Sequence, residues 1–291
     1  MITITRYVLL VLALIFAKTS LLQAQEFKGI ATYQSKMIMD TEMDSTAVKE
    51  MGAEMAKAIQ NALQTAGEAE FTLQFTRTES LYEEVKQLEK PQPKMEGLSI
   101  TISGDGSAYG TTYKDLEKGT YLREDKIQGK EFLISDDLEK WDWKITGEQK
   151  KIGNYTAIKA TYVIPKPELT EEEKKEKEEK EQKEGVSILD SIPQEDTVVT
   201  AWFTPELPVQ NGPGSYHGLP GLILEVSDGS TILLCTKVEL NPEKFKLKKP
   251  KNGKKISLSD FEELREKKQK EMMERFKGRR SGDTQVIMIG G

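Results

Sequence analysis

Apolar and polar residues alternate along much of this chain with the two-residue period of a half-buried strand. Ala31, Tyr33, Met37 and Met39 begin the pattern, Phe71, Leu73 and Phe75 repeat it, and Leu98, Ile100 and Ile102 make a third clean run. Further runs follow at residues 131–134, at Trp141, Trp143 and Ile145, and at Thr156, Ile158, Ala160, Tyr162 and Ile164. The last are Val199, Ala201 and Phe203, then Leu222, Leu224 and Val226, then Ile232, Leu234, Thr236, Val238 and Leu240. Successive strand side chains point to opposite faces, so one-sided alternation over eight or more runs predicts antiparallel sheet with one face buried. Short glycine-containing links, Ser103-Gly104-Asp105-Gly106 and Ser227-Asp228-Gly229-Ser230, suit hairpin turns.

Three stretches break the alternation. In residues 44–67, Met51, Met55, Ile59 and Leu63 recur every four positions, which predicts an amphipathic helix. Its stripe either covers an edge or mouth of the sheet or forms an adaptable methionine lid over an apolar ligand. In residues 165–196 the run EEEKKEKEEKEQKE holds eight Glu, five Lys and no apolar residue. A helix there has no face to bury, so a charged surface excursion, helical or disordered, is expected. Ser259 and Glu262 match a capping box and start a helix over residues 258–278, with Phe261, Leu264, Met272 and Phe276 as docking residues. Residues 279–291 are expected to fray. The fold class is therefore mainly β (α+β). The expectation is a curved, half-barrel-like antiparallel sheet with one covering helix, the charged insertion and a C-terminal helix, residues 25–257 forming a single β-rich domain.

The first residues carry a different signal. Arg6 precedes an apolar run over residues 7–17, too short to span a bilayer, and Leu22-Gln23-Ala24-Gln25 places suitable residues around a signal peptidase site. Residues 1–24 are thus expected to be a cleavable signal peptide, cut after Ala24, with no transmembrane segment left and a periplasmic or secreted destination. No cysteine lies near the cut to carry a lipid anchor. Cleavage removes Arg6 and Lys18 and no acid, so the formal charge moves from -6 to -8. Such acidity argues against a nucleic-acid partner, which requires a basic surface. Cys235 is the one cysteine, so no intramolecular disulfide is available and stability must come from a core.

The most distinctive stretch is AWFTPELPVQNGPGSYHGLPGLILEV, residues 201–226, where prolines and glycines crowd the connection between two predicted strands. Gly212-Pro213-Gly214-Ser215 and Leu219-Pro220-Gly221-Leu222 each place proline second and glycine third, the pattern of a type II turn. The connection should be stiff, and it is either a binding element or a cap sealing one end of the barrel. Gly218-Leu219-Pro220-Gly221-Leu222-Ile223 resembles the signature of the GLPGLI family. AWFTPELPV with the NGPG turn, Trp143-Lys144-Ile145-Thr146, and the block from Gln149 through Gly153-Asn154-Tyr155 are similar to its companion blocks. The resemblance covers roughly residues 141–226 and implies an exported bacterial protein without an assigned activity. Members often carry a cysteine just after the tyrosine of the second block, where this chain has Ala157.

Catalytic sets fail on inventory. His217 is the one histidine, without a second for a metal pair and without a cysteine in the same loop. Ser215, His217 and Glu206 can be named as a triad, but no nucleophile elbow surrounds the serine. With 48 acids, no chosen carboxylate pair is informative. No catalytic residue, metal ligand or cofactor is therefore expected. The candidate binding residues are Trp202, Glu206, Asn211, Tyr216, His217, Leu219 and Pro220. Three readings stand: a non-catalytic module holding an apolar ligand or an envelope protein, an envelope hydrolase using His217, and a structural or secretion-associated module.

Overall fold

The computed structural model of the chain describes residues 27–38, 68–86, 98–102, 110–166, 196–277 and 285–289. The expected helix at 44–67 and the core of the charged insertion lie outside these residues. The described strands are β1 (Gly29–Met37), β2 (Glu70–Phe75), β3 (Glu79–Glu84), β4 (Leu98–Ile102), β5 (Thr111–Asp115), β6 (Thr120–Ile127) and β7 (Lys130–Asp137). They continue with β8 (Lys144–Ile152), β9 (Tyr155–Ile164), β10 (Thr197–Thr204), β11 (Leu222–Ser227), β12 (Thr231–Leu240), β13 (Lys254–Ile256) and β14 (Gln285–Ile289), and one helix, α1 (Leu258–Lys277), lies before β14. Twelve strands form one open, curved sheet in the order β13-β7-β6-β5-β3-β2-β1-β12-β11-β10-β9-β8. The fold is mostly β and half-barrel-like, as the alternation predicts. Every pairing in this sheet is antiparallel except the short β13 against β7. No described helix is long and apolar enough to cross a membrane.

Residues directly opposite in antiparallel strands share a face, so the register defines two surfaces. On the inner face Ala201 opposes Val226, Val226 opposes Leu233, Tyr33 opposes Phe71, and Leu73 opposes both Ala31 and Tyr82. All are buried in one apolar cluster. Farther along that face Phe75 opposes Ser80, which opposes Lys114. At the β7 end α1 covers the sheet through fully buried Phe261, whose ring meets Phe132 at 5.6 Å beside Ile127 and Ile134. Its start is held not by the expected Ser259, which already lies inside the helix, but by Ser257, whose hydroxyl accepts from the Asp260 amide at 3.1 Å, and by Asp136, which accepts from the Leu258 amide at 3.1 Å.

The outer face is covered at the same end by the strap between β12 and β13. Lys249 lies 4.8 Å over the Tyr113 ring and 3.3 Å from Glu79, and the Lys251 and Asn252 amides donate to Glu124. This explains why β3 and β5 escape the sequence pattern. Leu81 and Tyr113 are buried on one face while Ser80, Tyr82, Thr112 and Lys114 are buried on the other, so no one-sided alternation exists to be read.

Two sequence expectations are corrected. Leu98–Ile102, read as a strand of the main sheet, instead pairs in parallel with Gln285–Ile289, inside the tail expected to fray. Gln285-Val286-Ile287-Met288-Ile289 is rich in the residues strands favour, and pairing gives each backbone a partner. The Trp141–Trp143 run is not strand; β8 begins at Lys144, and the two indoles stack on each other with centroids 5.5 Å apart. Cys235 is buried in the apolar cluster, and burial pushes its thiol up to about 12.

Candidate functional site

The connection between β10 and β11, residues 205–221, folds back over the inner face. Leu207, Val209 and Asn211 are buried while Pro208 and Gln210 are exposed, so the loop itself alternates like a strand with one face inward. Its backbone is tied to the start of β11: the Leu222 amide donates to the Leu207 carbonyl at 2.9 Å and the Ile223 amide to the Asn211 carbonyl at 3.0 Å. The Gly218 amide donates to the Gln210 carbonyl at 3.1 Å, and Asn211 bridges His217. Leu207, Val209, Tyr216 and Leu219 thereby join the same apolar cluster as Tyr33, Phe71 and Phe203.

The turn chemistry differs from the sequence expectation at both prolines. Gly214 has the positive φ of 55° that a type II turn predicts, but the closing bond runs from the Tyr216 amide to the Pro213 carbonyl at 3.1 Å, one residue later. The Gly212 carbonyl, which would have closed the expected turn, is instead occupied by a lysine described below. At the second site Gly221 is outside the left-handed region, and its amide donates to the Leu219 carbonyl at 2.8 Å, closing a three-residue turn about Pro220. Gly221 is needed for a different reason. A Cβ there would lie 2.1 Å from the Thr204 carbonyl oxygen, where the backbones of the two strand ends meet.

The residue that reasoning from sequence missed is Lys114. Its Nζ crosses from β5 to donate to the Gly212 carbonyl at 2.8 Å and the Tyr216 carbonyl at 2.9 Å, with the side chain fully buried. The described residues give it no carboxylate partner, and burial lowers its amine from the usual lysine range to about 7. Nothing in Thr111-Thr112-Tyr113-Lys114-Asp115 announces this, because the partners lie about a hundred positions away. Tyr33 adds a second anchor, its hydroxyl donating to the Ile223 carbonyl at 2.6 Å.

The candidate residues separate into groups. Asn211 is fully buried, its Oδ1 accepting from the Gly212 amide at 3.0 Å and its Nδ2 without a protein partner. Tyr216, 7% exposed, packs against Trp141 and Trp143 at 5.0 and 6.5 Å, and Tyr162 completes this aromatic group. Leu219 is 1% exposed and Pro220 is on the surface. His217 is half-buried. Its Nδ1 must carry the proton, since its partner at 2.9 Å is the Ser215 carbonyl, and its own carbonyl accepts from Trp143 Nε1 at 2.8 Å. Burial, helped by the nearby Lys114 charge and opposed by the Ser215 bond, lowers the imidazole to about 4. Glu206 is elsewhere, accepting from the Thr156 amide at 2.8 Å at the start of β9. Trp202 lies on the outer face, with Lys150 4.3 Å over its ring and paired with Glu225. The structure thus unites Asn211, Tyr216 and Leu219, with His217 beside them, and separates Glu206 and Trp202 from that group. No three His, Cys, Asp or Glu side chains among the described residues come together to hold a metal.

Among solved structures, two crystal forms of PNGF-II, in space groups C2 and P21, align with TM-scores of 0.46 and 0.45 and identities of 14% and 12%. Each alignment covers 83% of this chain, which spans about a third, 33% and 34%, of the PNGF-II chains. No curated protein matches the chain. The segment from the indole of Trp143 to Glu225, containing β8 to β10, the buried loop and most of β11, matches at residues 143–225 the model of a family described as a protein of unknown function, Porph_ging.

Proposed function

We propose that the protein is an exported, non-catalytic module of the bacterial envelope in which residues 204–221 seal the domain and do not present a ligand site. The observation that carries this reading is the burial of Leu207, Val209, Asn211, Tyr216 and Leu219 beneath the Lys114 and Tyr33 anchors. A residue already packed against its own core has no surface left for a ligand. The hydrolase reading is disfavoured by the surroundings of His217: its Nδ1 donates to the Ser215 carbonyl and not to an orienting carboxylate, and Glu206, the acid of the candidate triad, is held by the Thr156 amide at the start of β9. An apolar ligand on the inner face is compatible with this fold only if the loop lifts.

The test pairs compartment with chemistry. Mass spectrometry of the protein recovered from periplasmic or secreted fractions of its host is expected to show a mature chain starting at Gln25, and His217→Ala is expected to change no activity in a hydrolase panel. A chain retained in the cytoplasm with Met1 intact, or a hydrolytic activity abolished by His217→Ala, contradicts the proposal.

A further inference from the structure

We propose that residues 212–217 form a proton-operated latch: the loop is held most firmly on the inner face while Lys114 and His217 are both neutral, and proton uptake by either favours its release. This rests on the sealed-loop reading above. The geometry that carries it is the placement of a fully buried amine beneath the loop with only the carbonyls of Gly212 and Tyr216 as partners. A neutral amine has two N–H groups for these two carbonyls. An ammonium adds a charge that no described side chain beneath the loop compensates. Lifting the strip of backbone that supplies its two carbonyl partners would let water reach that charge.

The ionisable groups sharing the inner face do not offset this charge. Tyr33 on β1 is held neutral by burial, and Tyr121, opposite Lys114 on β6, is shifted the same way. Tyr82 on β3 presents another phenol, and Arg123 on β6 adds a further positive charge, paired at 3.7 Å with Asp125. Asp136 on β7, two strands away, already accepts from the Leu258 and Asp137 amides. Asp115, the neighbour of Lys114 in sequence, belongs to the other face, where it pairs with Lys118 at 2.6 Å. The loop strip itself contributes the phenol of Tyr216 and the imidazole of His217; His217 is the one of the two that can take a positive charge, and a second such charge there would repel the first.

Both groups are held below their usual ranges in the closed loop, so the closed state binds fewer protons and is favoured as pH rises. For Lys114 the window runs from the usual lysine value of 10.5 down to about 7; for His217 it runs from 6.5 down to about 4. The windows do not overlap, which makes the two contributions separable.

The experiment is hydrogen exchange of the Gly218, Leu222 and Ile223 amides in the full chain, corrected for intrinsic rates, between about pH 9 and about pH 5. The loop-opening constant should rise about twentyfold from about pH 9 to about pH 7.5, and this rise should vanish in Lys114→Gln, which keeps two N–H donors but cannot ionise. It should rise about a hundredfold more by about pH 5, most of it lost in His217→Gln. Should Lys114→Gln fail to fold, the Nζ resonance of Lys114 in the parent chain decides, since titration near pH 7 supports the latch and titration in the usual lysine range overturns it. Protected amides with a pH-independent opening constant overturn the latch alone. Amides unprotected even at about pH 9 overturn the sealed-loop reading beneath it.

Discussion

Gly221→Ala is expected to destabilise the protein by about 3 kcal/mol or more and to leave little folded material on expression. The added methyl would lie 2.1 Å from the Thr204 carbonyl oxygen, 2.5 Å from its carbon and 2.9 Å from the Pro205 nitrogen, all backbone atoms with no rotamer to yield. Relief requires separating the end of β10 from the start of β11, which would break the Leu222–Leu207 and Ile223–Asn211 bonds holding the loop. Alanine normally stabilises a chain relative to glycine by restricting its unfolded state, so a large loss here isolates the contact as the cause. A urea denaturation midpoint measures it. A midpoint within the scatter of the parent would show that the two strand ends do not meet as described.

Leu219→Ala should cost about 2–5 kcal/mol, the range for truncating a buried leucine whose surroundings relax only in part. Leu219 is 1% exposed within the main apolar cluster, while its neighbour Pro220 is on the surface. The adjacent pair is therefore an internal control: Leu219→Ala should shift the midpoint with an unchanged denaturant slope, and Pro220→Ala should shift it far less. A loop that presented Leu219 to a ligand would behave in the opposite way, tolerating the substitution in the free protein and losing only binding.

How much of this could be read in advance depends on how many faces of each element are covered. β1, β2 and β10 pack one face on the core and leave the other at least half-open, so their alternation is visible in the sequence. In β12 the expected run is out of phase in its first half: Leu233 and Cys235 are buried while Leu234 is exposed, and the bulge opposite Thr32 and Tyr33 brings Val238 back to the core side. β11 begins with Leu222, Ile223 and Leu224 all buried, so its alternation is lost there. β3 and β5 are covered on both sides, by the inner core and by the strap bearing Lys249, and the pattern disappears. β6 is half-buried along nearly its whole length, so Thr120-Tyr121-Leu122-Arg123-Glu124-Asp125-Lys126-Ile127 looks like surface.

In the loop, proline and glycine chemistry points correctly to the positive φ of Gly214. It did not foretell that Gly221 is needed for a close approach to Thr204, because that requirement comes from a neighbour in space. The same holds for Lys114, an ordinary surface lysine by composition, buried only because the loop closes over it. Proximity in sequence alone groups Glu206 and Trp202 with His217. The ladder sends Trp202 to the opposite face, and the Thr156 amide holds Glu206 at the start of β9.

The central claim is that the proline- and glycine-rich loop is part of the core of the domain. Through-space nuclear Overhauser contacts in the free protein at about pH 8, where the closed loop is favoured, test it most directly. The account predicts cross-peaks from the Lys114 side-chain methylenes to Gly212 and Tyr216 and from the Tyr33 ring to Ile223, pairs linked here by hydrogen bonds of 2.8, 2.9 and 2.6 Å. A loop giving random-coil shifts and none of these contacts, while the sheet around it remains folded, would contradict it.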